Sequence, residues 1–288
     1  MTTAEILSKV RKIEIKTKGL SNHIFSGDYH AAFKGKGMSF SEVREYIPGD
    51  DVRAIDWNVT ARLSTPYIKV FEEEREQTLM LLADISNSSI FGSTHTTKKN
   101  IITELCAVLA FSANANNDKV GLLLFSNKVE KFIPPQKGKS HILRIIRELL
   151  TTEASDKTGT DITQALSFFN NVIRQKTICF LISDFLSPPF EKPLRLAASK
   201  HDFIGVSIYD KMDRELPDVG VIEVVDSETK ALHWVDTGSK KARNAYTELF
   251  DRHQKYCIDQ FHKNGANLIS MRTDQDYVKK LKGFFNNR

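Results

Sequence analysis

The run Thr78-Leu79-Met80-Leu81-Leu82-Ala83, closing in Asp84-Ile85-Ser86-Asn87-Ser88, decides the fold. It is too short for a helix that must bury itself and shows no polar alternation, as expected of a parallel strand covered on both faces. A second run, Thr177-Ile178-Cys179-Phe180-Leu181-Ile182, closes the same way, in Ser183-Asp184. Further strands are expected at 120–125, 203–209 and 267–271, with helices between them. Ile101, Leu105, Val108, Leu109 and Ser112 trace one helix, and Ile142, Ile145, Ile146, Leu149 and Leu150 trace another at i, i+3, i+4 spacing. A long helix over 240–263 is carried by Ala242, Tyr246, Leu249, Phe250, His253, Tyr256 and Phe261. Strands alternating with helices predict an α/β domain with a doubly wound, mainly parallel sheet. In such sheets ligands bind beyond the carboxyl ends of the strands, where strand order reverses. Asp84 and Asp184 each follow an expected central strand and so fall at that edge.

Between them in sequence, Gly159-Thr160 opens a helical pattern. Brought to one sheet edge, Asp84, Ser86, Ser88, Thr160 and Asp184 offer two carboxylates and three hydroxyls. That oxygen set suits a hard divalent cation: magnesium first, with manganese and calcium also acceptable to these ligands. Two carboxylates balance the ion's charge, and neutral hydroxyls leave it electrophilic toward a carboxylate from another molecule. Asp184 would act directly or through water. Each residue also has a plainer reading, since Asp and Ser gather in strand-end turns and Thr160 could be a helix N-cap with Asp161 in the first turn.

Catalysis is less well served. No histidine or cysteine stands in or beside these loops as base or nucleophile. Ser86 occupies the place where a phosphatase of the aspartyl type needs its second aspartate, and no GxxxxGK[ST] loop exists. A metal-dependent phosphoester hydrolase using the same cation is the alternative reading. His253 and Cys257 lie four apart on the expected long helix, but with no third ligand in view they read as a packed face.

Composition sets the outer bounds. The chain has 288 residues, 41% hydrophobic and 27% charged, which suits one large domain or two modest ones. A net charge of +5, from 41 Lys and Arg against 36 Asp and Glu, is too mild for a nucleic-acid footprint. The apolar runs fall short of the ~20 residues needed to span a bilayer. No signal-peptide core opens the chain, and three cysteines form no even set, so a cytoplasmic, reduced protein is expected.

The N-terminal part is of another kind. An amphipathic helix is expected over 4–18, on Ile6, Val10 and Ile13. The stretch to about Lys69 is turn-rich and reads as irregular or small β structure, without helices. The expected division is an accessory segment over 1–76 and the α/β domain over 77–288. Within the segment Arg44, Arg53 and Arg62 lie among Asp50, Asp51 and Asp56, with Trp57 and Tyr46 as apolar anchors. Guanidinium groups favour forked contacts with carboxylates, so a structural ion-pair network is expected, with a docking surface as the alternative.

Two resemblances follow. Asp84-x-Ser86-x-Ser88, Thr160 and Asp184 together resemble the metal-ion-dependent adhesion site of von Willebrand factor A domains. The segments Gly35-Lys36-Gly37-Met38-Ser39-Phe40, Arg44-Glu45-Tyr46-Ile47-Pro48-Gly49-Asp50-Asp51-Val52-Arg53-Ala54-Ile55-Asp56-Trp57 and Thr60-Ala61-Arg62 look like the hallmark of one bacterial family, domain of unknown function 58. Ser89 departs from that pattern, where many relatives have Met. Phe185 stands where many A domains have Gly. The resemblance implies an A-type fold and a non-enzymatic module that grips a partner's acidic residue through the cation, with Asp184 acting through water. It also implies work with a MoxR-type AAA+ ATPase, in assembling or remodelling other proteins or inserting metal cofactors.

Overall fold

The computed structural model describes residues 8, 11–14, 39–72, 76–93, 96–155, 159–225 and 231–287. They fall into two compact units, Phe33–Gln77 and Thr78–Arg288, with Met1–Ala32 grouped with the latter. Of the helix expected over 4–18, residues 8 and 11–14 are helical and the remainder lies outside the described residues.

The smaller unit is built on an antiparallel pair, β1 (Ser39–Glu45) and β2 (Tyr67–Glu72). Between them the chain does form a helix, α1 (Trp57–Leu63), where the turn-rich composition predicts none. The reason is local: Asp56 accepts hydrogen bonds from the amides of Asn58 and Val59, the N-cap that starts a helix. Ser64 ends it in the left-handed conformation at φ 60°.

In the larger unit the expected strands are present as β3 (Thr78–Asp84), β4 (Lys119–Phe125), β6 (Ile178–Ser183), β7 (Asp202–Tyr209) and β10 (Asn267–Arg272). An additional strand, β5 (Val129–Gln136), pairs antiparallel with β4 and closes that edge. Its Pro134 and Pro135 argue against a central strand, and an edge is where prolines are tolerated. A separate hairpin, β8 (Val221–Val225) with β9 (Leu232–Asp236), was also unforeseen. The main sheet runs β10-β7-β6-β3-β4-β5, parallel except for β5. The doubly wound, mainly parallel α/β architecture expected from the sequence is therefore present.

The intervening helices are α2 (Lys98–Ala115), α3 (Lys139–Thr151), α4 (Ile162–Val172), α5 (Glu191–Lys200), the short α6 (Lys211–Arg214), α7 (Lys240–Lys263) and α8 (Tyr277–Asn286). Strand alternation sends Met80 and Leu82 to one face, where they join Leu166 and Phe169 of α4, Leu194 of α5 and Phe261 of α7. The opposite face packs against α2 and, through Phe180 and Phe285 with ring centroids 6.4 Å apart, against α8. Burial on both faces removes Leu79 to Ala83 from water altogether. At about 1.5–3 kcal/mol per fully buried apolar side chain, this strand is a principal source of the domain's cohesion. One close approach needs glycine: a Cβ at Gly205 would lie 2.5 Å from the Phe261 ring and from Leu268. Strand β3 has β4 on one side and β6 on the other, so strand order reverses at its carboxyl end.

Candidate metal centre

The loops that leave β3, β4 and β6 are tied together at that reversal point. Ile85 donates its amide hydrogen to Phe125 O at 2.8 Å, and Asp161 donates its own to Ser126 O at 2.9 Å. Ser187 Oγ accepts from the Ile162 amide at 3.1 Å. These three bonds set the Asp84–Ser88 loop, the Gly159–Thr160 turn and the loop after Asp184 side by side.

Asp84 is almost wholly buried. Its Oδ1 accepts from the Ser86 amide at 2.8 Å and its Oδ2 from Ser183 Oγ at 2.6 Å. Burial, with the charge of Asp184 added, pushes the Asp84 carboxyl up to about 7 despite those hydrogen bonds. An uncompensated carboxylate is thus disfavoured here, and a cation would relieve the cost. The hydroxyls of Ser86 and Ser88 lie 3.0 Å apart and are both buried. Ser89 Oγ donates to Ser86 O at 2.7 Å, which braces the turn and spends the hydroxyl of the residue that departs from the family pattern.

Thr160 is the telling case. The expected N-cap role falls instead to Asp161, whose Oδ1 accepts from the Gln164 amide at 3.1 Å. The shift follows from Gly159, which turns the chain at φ 73° one residue before Thr160. Thr160 Oγ1 is left buried without a hydrogen-bond partner among the described residues. A buried polar atom in that condition costs roughly 1–3 kcal/mol unless something else satisfies it.

Asp184 is bound in a way the sequence did not foretell. Its Oδ1 accepts from the Leu186 amide at 3.2 Å, and its Oδ2 faces Lys98 Nζ at 3.0 Å. The same ammonium lies 3.0 Å from Asp213 Oδ2. Lys98 is 2% exposed and is the first residue of α2, where the helix dipole disfavours a cation. Burial opposes its charge, but the carboxylates of Asp184 and Asp213 prevail and hold it above the ordinary lysine range. Lys98 and Asp213 were missed, and Ser183, read only as the end of its strand, had no role of its own. A lysine at a helix start, against the dipole, was the available signal.

The fit to a divalent cation rests on this donor set. With Asp84 ionised, as a cation would favour, Asp84, Asp184 and Asp213 offer three negative charges against one on Lys98, a surplus matching a divalent ion. The hydroxyls are hard neutral donors, and one of them, on Thr160, is unspent. Among the described residues no three His, Cys, Asp or Glu side chains gather as a metal cluster. A site here would therefore depend on hydroxyls as well as carboxylates. Phe185, in the place of the A-domain glycine, adopts φ 61° and is wholly buried. Its amide donates to Ser183 Oγ at 3.0 Å, its carbonyl accepts from His253 Nε2 at 3.1 Å, and its ring packs edge-on to Phe261. His253 thus serves packing, as expected of that helix face, and Cys257 Sγ lies 3.6 Å from it.

The smaller unit shows a thinner ion-pair pattern than expected. Arg44 makes a forked contact with Asp50, 2.8 Å on each arm, and Asp50 also accepts from the Ile47 amide at 2.9 Å. Asp51 and Asp56 are instead spent on helix starts, Asp51 accepting from the Arg53 amide at 2.9 Å. The cation beside Asp56 is Lys69 at 3.4 Å, not an arginine. The guanidinium groups of Arg53 and Arg62 are exposed and make no ion pair among the described residues. Trp57, expected as an anchor, is 70% exposed. Short acidic side chains followed by open amides cap backbone before they reach a distant arginine, so among the described residues the expected arginine network reduces to the Arg44–Asp50 pair.

A family model described as protein of unknown function DUF58 matches residues 42–256. The chain belongs to this family. The uncharacterized protein Mb1516 of Mycobacterium bovis is 27% identical over 286 residues, covering 99% of this chain and 90% of its own. Among solved structures, an aerotolerance-related membrane protein from Bacteroides fragilis is similar in fold. It has a TM-score of 0.51 at 14% identity, over 73% of this chain and 97% of that one. The VWA domain of SpRpn10 matches at a TM-score of 0.39 and 12% identity, over 72% of this chain and 94% of that one. The DUF58 chain thus has a doubly wound, mainly parallel α/β fold, in which it is similar to the Bacteroides fragilis protein. Among its described residues no helix is long and apolar enough to cross a membrane.

Proposed function

We propose that this DUF58 protein is a non-enzymatic, metal-dependent protein-binding module. In this reading the oxygens of Asp84, Ser86, Ser88 and Thr160, with Asp184 through water, hold Mg2+ and present it to an acidic residue of a partner. Manganese and calcium are ions the same oxygens would accept. The observation that carries the reading is the buried, unpartnered Thr160 hydroxyl at the same sheet edge as a carboxylate, Asp84, that burial and Asp184 drive toward protonation. Both defects are relieved by one cation, and neither by packing. The Lys98 contact supports the indirect role of Asp184, whose Oδ2 is already engaged.

The partner is the MoxR-type AAA+ ATPase implied by the family resemblance, which would supply nucleotide hydrolysis that this chain has no phosphate loop to perform. The module would then act as an adaptor in protein assembly, remodelling or metal-cofactor insertion. Titration calorimetry with Mg2+ and Mn2+ on the full chain tests the first half. Binding at sub-millimolar to millimolar concentrations is expected, with loss in Asp84→Ala. Capture of the ATPase in Mg2+ but not in EDTA tests the second. Magnesium-dependent phosphoester turnover that Asp84→Ala abolishes would replace the module with a hydrolase.

A further inference from the structure

Immediately beside the candidate metal centre lies a cavity of about 350 Å3 between the loop after β6, the end of β7, α6 and α7. It is lined by Asp184, Asp213 and His253 together with Leu186, Tyr209, Tyr246, Leu249 and Phe250. The Tyr209 and Phe250 rings face each other with centroids 5.0 Å apart. Leu186 and Leu249 are 47% and 60% exposed, a large apolar area for two residues that reach into one hollow. The volume falls within the range of small ligand sites and exceeds what one leucine or phenylalanine side chain needs.

Several of the polar groups around this cavity already have partners. Lys98 Nζ engages Asp184 Oδ2 and Asp213 Oδ2, both at 3.0 Å. Tyr246 donates its hydroxyl hydrogen to Met212 O at 3.1 Å, and His253 Nε2 is occupied by Phe185 O at 3.1 Å. What remains for a visitor is mostly carbon surface, from Leu186, Leu249, Phe250 and the two tyrosine rings. A cationic side chain would compete with Lys98 for two carboxylates it already neutralises in part, and a polar one would find Lys98, Tyr246 and His253 Nε2 already engaged. An apolar side chain loses nothing on entry and removes Leu186 and Leu249 from water.

Resting on the proposed cation reading, we infer that the cavity is the second half of the same recognition site. It receives a bulky apolar side chain, aromatic or leucine, from the partner segment whose Asp or Glu reaches the cation. The recognised element is then a short acidic-plus-apolar motif, and a bare acidic residue is not enough. Asp184 belongs to both halves, so the two contacts fall within a few residues of each other in an extended peptide, at about 3.3 Å per residue.

Peptides of the form acetyl-Asp-(Gly)n-Phe-amide, with n from 0 to 3, act as a ruler. The same peptides with Ser in place of Phe are the controls, and binding to the full chain is read by fluorescence competition and NMR titration in Mg2+. At one spacing the Phe peptide binds at least about tenfold more tightly than its Ser control, the gain expected from burying one aromatic side chain. Leu249→Glu, at a solvent-exposed rim position, abolishes that gain while Mg2+ binding and the Ser peptides are unchanged. Equal binding of Phe and Ser peptides at every spacing, or no binding of either, overturns the inference. A Phe preference that Leu249→Glu removes but EDTA and Asp84→Ala leave untouched upholds the apolar site and sinks the cation reading instead. The two ideas therefore fail separately.

Discussion

The protein uses aspartate in two settings, and their contrast explains what each can do. In the smaller unit Asp50 meets Arg44 in a forked contact near water, and its carboxyl is held below the ordinary range by that guanidinium and the Ile47 amide. At the carboxyl edge of the main sheet, Asp84 meets no cation of its own and is buried, and its carboxyl is pushed up to about 7. The exposed pair is complete as it stands. The buried group is not, and an incomplete buried charge is where binding energy is stored for a ligand. Lys98 stands between these cases: a cation as buried as Asp84, but fully engaged by two carboxylates.

Breaking the Lys98 arrangement should have the largest effect. Lys98→Met leaves Asp184 Oδ2 buried and facing no ammonium, with Asp213 also bereft. Removing one partner of a buried pair costs about 3–5 kcal/mol, which urea denaturation would read as a lower midpoint at unchanged slope. If a cation binds as proposed, saturating Mg2+ restores part of the loss, since binding only the folded state stabilises it. A loss under about 1 kcal/mol would show that water, not burial, governs this edge. Next in size, Asp84→Asn keeps the hydrogen bonds to Ser183 and the Ser86 amide within reach but removes the charge. Mg2+ affinity should fall by about a hundredfold or more in calorimetry, equivalent to about 2.7 kcal/mol.

The opposite edge of the sheet offers a control in which burial acts on a different group. His201 precedes β7, its Nδ1 lies 3.0 Å from Thr177 Oγ1, and burial followed by the charge of Lys200 lowers its pKa from 6.5 to about 4. In the folded chain it is neutral over that interval, whereas the unfolded chain takes up a proton. Stability attributable to His201 is thus complete above pH 6.5 and is lost as pH falls toward 4, below which both states are protonated. The expected loss is on the order of 2 kcal/mol. Denaturation midpoints at pH 7 and pH 4.5 should converge in His201→Asn, which keeps a partner for Thr177. An unaltered pH slope in that variant would rule the histidine out.

Thr160→Val separates ligand from scaffold. Valine is isosteric, and the hydroxyl it removes has no partner among the described residues, so stability without cation should hold or rise slightly. Mg2+ affinity should fall about tenfold, worth about 1.4 kcal/mol. A clear loss of stability in EDTA would mean the hydroxyl serves the fold.

Most of this site was legible because strand-end positions are announced by the apolar runs before them. Leu79 to Ala83 and Ile178 to Ile182 declare parallel strands, and their last residues must then fall at the sheet's carboxyl edge. That logic reaches only residues that end a strand or open a helix. It located Asp84, Ser86, Ser88 and Asp184, and placed Thr160 one residue from its true relation to the helix. It could not reach Lys98 or Asp213, whose pairing depends on α2 and α6 meeting across the sheet edge. Nor could it foresee that Asp51 and Asp56 would cap backbone amides and leave Arg53 and Arg62 unpaired among the described residues. Asp184 needs 86 residues of intervening chain to find its ammonium, while Asp56 needs two to find its amide. Short-range satisfaction wins wherever water competes for the long-range alternative.

The smallest expected effect tests that last statement. Arg44→Met removes the forked contact to Asp50, but Asp50 keeps the Ile47 amide and open water, so the stability loss should be far smaller than that of Lys98→Met. Salt then distinguishes the two regions. In 1 M NaCl the Debye length shrinks to about 3 Å, so the wild-type chain and Arg44→Met should become indistinguishable in denaturation midpoint. The deficit of Lys98→Met should persist under the same conditions, because solvent ions cannot enter a contact whose ammonium is 2% exposed. If salt erased both deficits alike, the site edge would be as wet as the accessory unit, and the stored charge inferred at Asp84 would have no physical basis.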